Sequence, residues 1–179
     1  GSDLTIDTLT HSNLAAVGNS LTEVNIGTHT LSVERGEFQG KLLGTGLLDK
    51  ITANPLGDDT LILSGDNSGF FGTVRVSGGT LKTGSVNALV NATLNLVAPS
   101  VLTLATSDLS VKELLGDGTI HLGTYDLTVK RGNFSGTIDG TVGVDQASSG
   151  NIIKISDGTV DGGILTLSGA NNYGWTIIQ

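Results

Sequence analysis

The chain has 179 residues, enough to bury a core of its own, and no cysteine, which excludes disulfides, thiolate metal sites and a cysteine nucleophile. Only 15% of residues are charged, and 17 acidic against 9 basic side chains leave a net charge of −8, which argues against electrostatic binding of nucleic acid or of an anionic membrane. With Gly at 27, aromatics at 4% and Leu, Val and Ile scattered in short runs, the composition is that of short strands broken by frequent turns.

In chain order, Gly1-Ser2 reads as the scar of a cleaved tag, so the natural start is expected elsewhere, and residues 3–179 read as one extended domain. Apolar residues then alternate at Leu31-Ser32-Val33, Leu61-Ile62-Leu63, Val74-Arg75-Val76, Leu94-Asn95-Leu96, Leu102-Thr103-Leu104, Leu109-Ser110-Val111 and Leu127-Thr128-Val129. A period of two marks half-buried strands. Gly57-Asp58, Ser77-Gly78-Gly79, Gly116-Asp117-Gly118 and Asp161-Gly162-Gly163 punctuate them as turns. A helical turn is expected at Val86–Val90 or Val111–Leu115, too short for an amphipathic helix. No apolar run approaches the roughly 18 residues of a membrane helix.

The chain also repeats itself. NIGTHTLSVERGEFQGKLLGT, from Asn25 to Thr45, and HLGTYDLTVKRGNFSGTIDGT, from His121 to Thr141, share ten of 21 positions at a spacing of 96. Similarity resumes at Lys50-Ile51 and Lys154-Ile155 and continues through LILSGDN at Leu61–Asn67 and LTLSGAN at Leu165–Asn171, now 104 apart. An insertion of eight residues within Val142–Ile152, most simply at Asp145–Gly150, accounts for the shift. The related blocks are thus 25–84 and 121–179. At roughly 20 residues per solenoid coil, the repeat spans four to five coils, each stabilised by its neighbours and each open end exposing an unpaired rung.

LILSGDNSGFFGTVRVSGGTLKTG, from Leu61 to Gly84, resembles the passenger-associated transport repeat of classical (type V) autotransporters, with an LxLSGxN strand, an aromatic and glycine turn and a GGTL strand. GTHTLSVERGEFQGKLLGTG, from Gly27 to Gly46, resembles the segment that precedes it. The second copy departs from the pattern after Asn171, reading NYGWTIIQ with no GGTL strand. The resemblance implies an all-β fold, a right-handed parallel β-helix, on a bacterial cell surface and anchored through an outer-membrane barrel. It also implies partners in the protein's own C-terminal barrel and upstream passenger coils, self-association through open ends, and a host protein as target. The last coils of such passengers act as an autochaperone that promotes folding and export.

Candidate sites are few. Gly65-Asp66-Asn67-Ser68-Gly69 invites comparison with a serine-protease nucleophile loop, but Asn67 breaks that motif and Gly169-Ala170-Asn171-Asn172 lacks its Asp and Ser. His11, His29 and His121 have no ligand-pair spacing, and Asp58-Asp59, Asp117 and Asp157 lie in turns where Asp-Gly is ordinary turn chemistry. No enzyme, metal or cofactor is therefore expected. Arg35 with Phe38 and Arg131 with Phe134, in RGxFxG, are read as repeat structure, each Phe in the core and each Arg covering it with its stem. Phe70 and Phe71, with Tyr173 and Trp175 after the second LSGxN, are read as aromatics that close a core edge or meet a partner. Asn91-Ala92-Thr93 and Asn133-Phe134-Ser135 match the glycosylation sequon.

Overall fold

The computed structural model describes residues 2–10, 23–52, 59–140, 149–160 and 162–179. Its strands follow in short succession: β1 (Leu4–Thr10), β2 (Glu23–Asn25), β3 (Thr30–Phe38), β4 (Lys41–Leu43), β5 (Leu47–Lys50), β6 (Thr60–Leu63), β7 (Thr73–Val76), β8 (Thr80–Thr83) and β9 (Thr93–Leu96). Then come β10 (Val101–Leu104), β11 (Leu109–Gly116), β12 (Thr119–Gly123), β13 (Leu127–Phe134), β14 (Thr137–Gly140), β15 (Ile152–Lys154), β16 (Leu165–Leu167), β17 (Asn171–Asn172) and β18 (Thr176–Ile178). Every strand pairing is parallel, and no helix occurs among the described residues.

The pairings resolve into three ladders, so the chain is a three-faced parallel β-solenoid. One runs from the Thr30–Val33 half of β3 through β5, β7, β9 and the later halves of β11 and β13 to β16. A second runs from Gly36–Phe38 through β6, β8, β10, β12 and β14 to β17. The third begins at β2–β4, passes through turns at Asn67 and Val86, and continues in the early halves of β11 and β13, then β15 and β18. Alternation explains the core: in β6 to β10 every second side chain is buried, which stacks Leu61, Leu81, Leu102, Ile120 and Ile138 in one row and Leu48, Val74, Leu94 and Leu114 in another. Each such Leu or Val stabilises the fold by about 1.5–3 kcal/mol.

The helical turn expected at Val111–Leu115 is not formed; those residues lie within β11. Val111 and Leu114 are both buried because the strand turns a corner between them, moving the inward side by one residue and mimicking helical spacing. Around Val86–Val90 the chain makes two successive tight turns, the Ala88 amide donating to the Ser85 carbonyl over 3.0 Å and the Ala92 amide to the Leu89 carbonyl over 2.9 Å. The turns at Gly57-Asp58 and Asp161, and most of the Val142–Ile152 insertion, lie outside the described residues.

The 96-residue repeat is not a whole number of coils. Phe38 and Phe134 are both fully buried at the ends of equivalent strands, yet Phe38 pairs with Leu63 in the second ladder while Phe134 pairs with Leu167 in the first. From β3 to β13 the chain advances four full turns and two further faces, within the four to five coils expected from the repeat. Coil lengths vary accordingly, from 17 residues between Leu31 and Leu48 to 33 between Ile138 and Asn171.

The Asn of LSGxN has a definite task. Asn67 is buried; its Oδ1 accepts the Leu42 amide at 2.7 Å from the coil below, and its Nδ2 donates to the Ala88 carbonyl at 3.1 Å in the coil above. Asn171 repeats the first contact, accepting the Ile138 amide at 3.2 Å. Asn67 therefore closes the third ladder where no strand forms. Asn67→Ala would strand a buried amide and a buried carbonyl and is expected to cost about 2 kcal/mol, read from chemical denaturation of the purified chain.

Candidate functional site

Two clamps stand behind the repeated Lys-Ile pairs, the first fully buried and the second half-buried. Lys50 points inward from the end of β5, between Val33 and Val76, and is fully buried. Its ammonium is tolerated because it donates to three oxygens: Asp59 Oδ1 at 2.5 Å, the Ile51 carbonyl at 2.7 Å and the Gly78 carbonyl at 3.2 Å. Asp59 also accepts the Thr52 hydroxyl at 2.5 Å. This contact accounts for the glycines of GGTL, since Gly79 has φ +68 and a Cβ there would lie 2.2 Å from the Asp59 carboxylate. Lys154 repeats the device, donating to the Ile155 carbonyl at 2.6 Å and the Gly162 carbonyl at 2.9 Å. In the sequence these lysines stand out only by similarity, and the inward phase set by Leu48 is the signal that places Lys50 inside. Beside the first clamp, the buried Asp49 accepts Arg75 through two nitrogens, at 3.1 and 2.5 Å, and the Ser77 hydroxyl at 2.7 Å, which raises the Arg75 pKa above its ordinary value.

The arginines of RGxFxG lie on the outer surface, each tied to the coil below, while Phe38 and Phe134 sit inside. Each arginine centres a groove where its strand turns the corner. The first, about 300 Å³, is lined by Thr8, Arg35, Gly36, Glu37, Ile62 and Lys82; the second, about 580 Å³, includes Glu113, Arg131, Gly132, Asn133, Asp157 and Ile164. Arg35 Nη2 donates to Asp7 Oδ2 at 2.8 Å, and Thr8 first and Arg35 second hold the Asp7 carboxyl below its usual range. In the second groove Arg131 stands between two carboxylates, Glu113 Oε1 at 3.4 Å from Nε and Asp157 Oδ2 at 3.6 Å from Nη1.

The Asp157 carboxyl titrates below its ordinary value because the hydroxyl and amide of Thr159 donate to it, with the charges of Arg131 and Lys154 adding to the effect. Its ionised form therefore supports the fold above the unfolded value of about 3.9 and loses that contribution as pH falls through the lowered folded value. Thr159→Val is expected to raise the Asp157 midpoint more than Arg131→Gln does, and a carboxyl-resolved NMR titration gives the order.

The structure separates the four aromatics. Phe70 is buried and Tyr173 packs half-buried against the core, whereas Phe71 and Trp175 face solvent at 58% and 68% exposure. Gly65–Gly69 form a turn in which the Asp66 carboxylate accepts the Ser68 amide at 3.1 Å, and Ser68 holds that carboxyl below its usual range. His121 Nδ1 lies 2.6 Å from Asp139 on the outer face, Asp117 accepts the Ala98 amide, and His11 and Asp58 lie outside the described residues. No group of three or more His, Asp or Glu is arranged to hold a metal ion among the described residues. Asn91 Nδ2 donates to the Ser68 carbonyl, while Asn133 is exposed at the rim of the second groove.

A parallel β-solenoid is extended by stacking coils on one continuous core. The chain is 36% identical over 167 residues to an autotransporter adhesin, BmaC, of Brucella suis biovar 1 (strain 1330). The match covers 84% of this chain but only 5% of the relative's length. No protein-family model matches the chain, and no solved structure matches it.

Proposed function

We propose that the chain is a length of the surface-exposed passenger of a Gram-negative autotransporter, a non-enzymatic solenoid stem that carries adhesive surface outward from an outer-membrane barrel. The observation that carries this reading is the similarity over 84% of the chain to an autotransporter adhesin, on a fold that is solenoid throughout its described length. Parallel coils suit the task because each is held by its neighbours, so length is added without a new core. The test is to delete residues 25–140 from the full-length parent. Surface display with reduced reach and reduced attachment to host cells supports the reading; unchanged attachment overturns the adhesive role.

We further propose that the last coils assist folding and export as an autochaperone. Trp175 and Ile178 are 68% and 80% exposed on the final described rung, an apolar pair that stacking of a further coil would cover. Normal display and protease resistance after Trp175→Ser in the parent would sink this part.

A further inference from the structure

We infer that the groove around Arg131 is a subsite for a neutral saccharide. The inference deepens the adhesive reading by naming a ligand class for one of its surfaces.

Arg131 is held only loosely. Its contacts with Glu113 Oε1 at 3.4 Å and Asp157 Oδ2 at 3.6 Å are longer than hydrogen bonds, which lie near 2.7–3.2 Å. Each carboxylate is fixed through its other oxygen, Glu113 Oε2 accepting the Thr93 hydroxyl at 3.1 Å and Asp157 Oδ1 accepting Thr159. The acceptors are thus anchored while the oxygens turned toward the guanidinium stand slightly apart from it. The homologous Arg35 differs: its 2.8 Å hydrogen bond to Asp7 is fully formed, and its groove has about half the volume.

The charges decide between ligand classes. A carboxylate or phosphate drawn to Arg131 would meet Glu113 and Asp157 on either side, and an ammonium drawn to those two would meet Arg131 between them. An uncharged group that both donates and accepts avoids both conflicts. A sugar hydroxyl does so, accepting from the guanidinium while donating to a carboxylate, and neighbouring hydroxyls on one ring match donors and acceptors that alternate. Leu115 and the 71% exposed Ile164 supply aliphatic walls for the C–H face of the ring. The volume of about 580 Å³ falls within the range of roughly 300–1,000 Å³ for small-ligand sites.

The experiment is ligand-observed saturation-transfer NMR on the 179-residue chain with three neutral disaccharides, cellobiose, lactose and diacetylchitobiose. Saturable transfer to at least one sugar is expected, weakened at least tenfold by Arg131→Gln and by Asp157→Asn and unchanged by Arg35→Gln. Thr166→Trp, at an exposed strand position on the groove wall, should block binding without disturbing the core and decides the matter if the charge variants fold poorly. No transfer from any of the three sugars, or transfer equal in wild type and Thr166→Trp, overturns the inference. Cell attachment by the full-length parent is scored separately, so an adhesive segment that binds none of these sugars defeats this inference alone.

Discussion

Asp59→Ala is expected to destabilise the chain by about 3 kcal/mol. The substitution leaves the fully buried Lys50 ammonium with two carbonyls and no counter-charge, and breaking a buried pair by removing one member costs about 3–5 kcal/mol. The lower end applies because Asp59 is itself 22% exposed, so water can take part of its place. Lys50→Met tests the same clamp differently: it fills the inward row between Val33 and Val76 with an apolar chain and releases Asp59 toward solvent, so its cost should be clearly smaller. Denaturant unfolding of both variants gives the comparison, and equal costs would mean that the clamp matters for its shape rather than its charge.

Gly132→Ala should cost more, about 4 kcal/mol, and Gly36→Ala a similar amount. Both glycines turn the corner of RGxFxG with positive φ, +150 and +133, and an added Cβ would lie 2.0 Å from the Leu114 carbonyl oxygen or 1.9 Å from that of Leu9. The oxygen belongs to the coil below, so relief requires opening the spacing between coils or turning the strand, and strain and overpacking each contribute about 1–3 kcal/mol. Protease digestion should show the break locally, near β11–β13 for Gly132 and near β1–β3 for Gly36, because coils depend mainly on their neighbours.

The strands were legible in the sequence because alternation is a local property. Each triplet from Leu31-Ser32-Val33 to Leu127-Thr128-Val129 forms part of a strand, and every Leu and Val at its ends is buried in a parallel solenoid. The grooves were not legible. Arg131 reaches Glu113 in one neighbouring coil and Asp157 in the next, and which residues meet depends on coil lengths that range from 17 to 33. Phe71 and Phe70 look alike in sequence, but one position of register at a corner sends one ring out and the other in. Lys50 is hidden for the opposite reason: its charge points to an outward position where the period places it inside.

The mismatch between repeat and coil has a geometric consequence. A segment copied at four turns and two faces still docks because its inward leucines and valines fit any side of the prism. What such copying cannot preserve is compass direction. The Arg35 and Arg131 grooves are sisters in sequence but look out on different sides of the shaft, as successive treads of a spiral stair do. A flat receptor laid along one side would meet only one of them, whereas ligands crowding around the shaft could reach both. Growth by such blocks therefore spreads a single surface motif around the axis as well as along it.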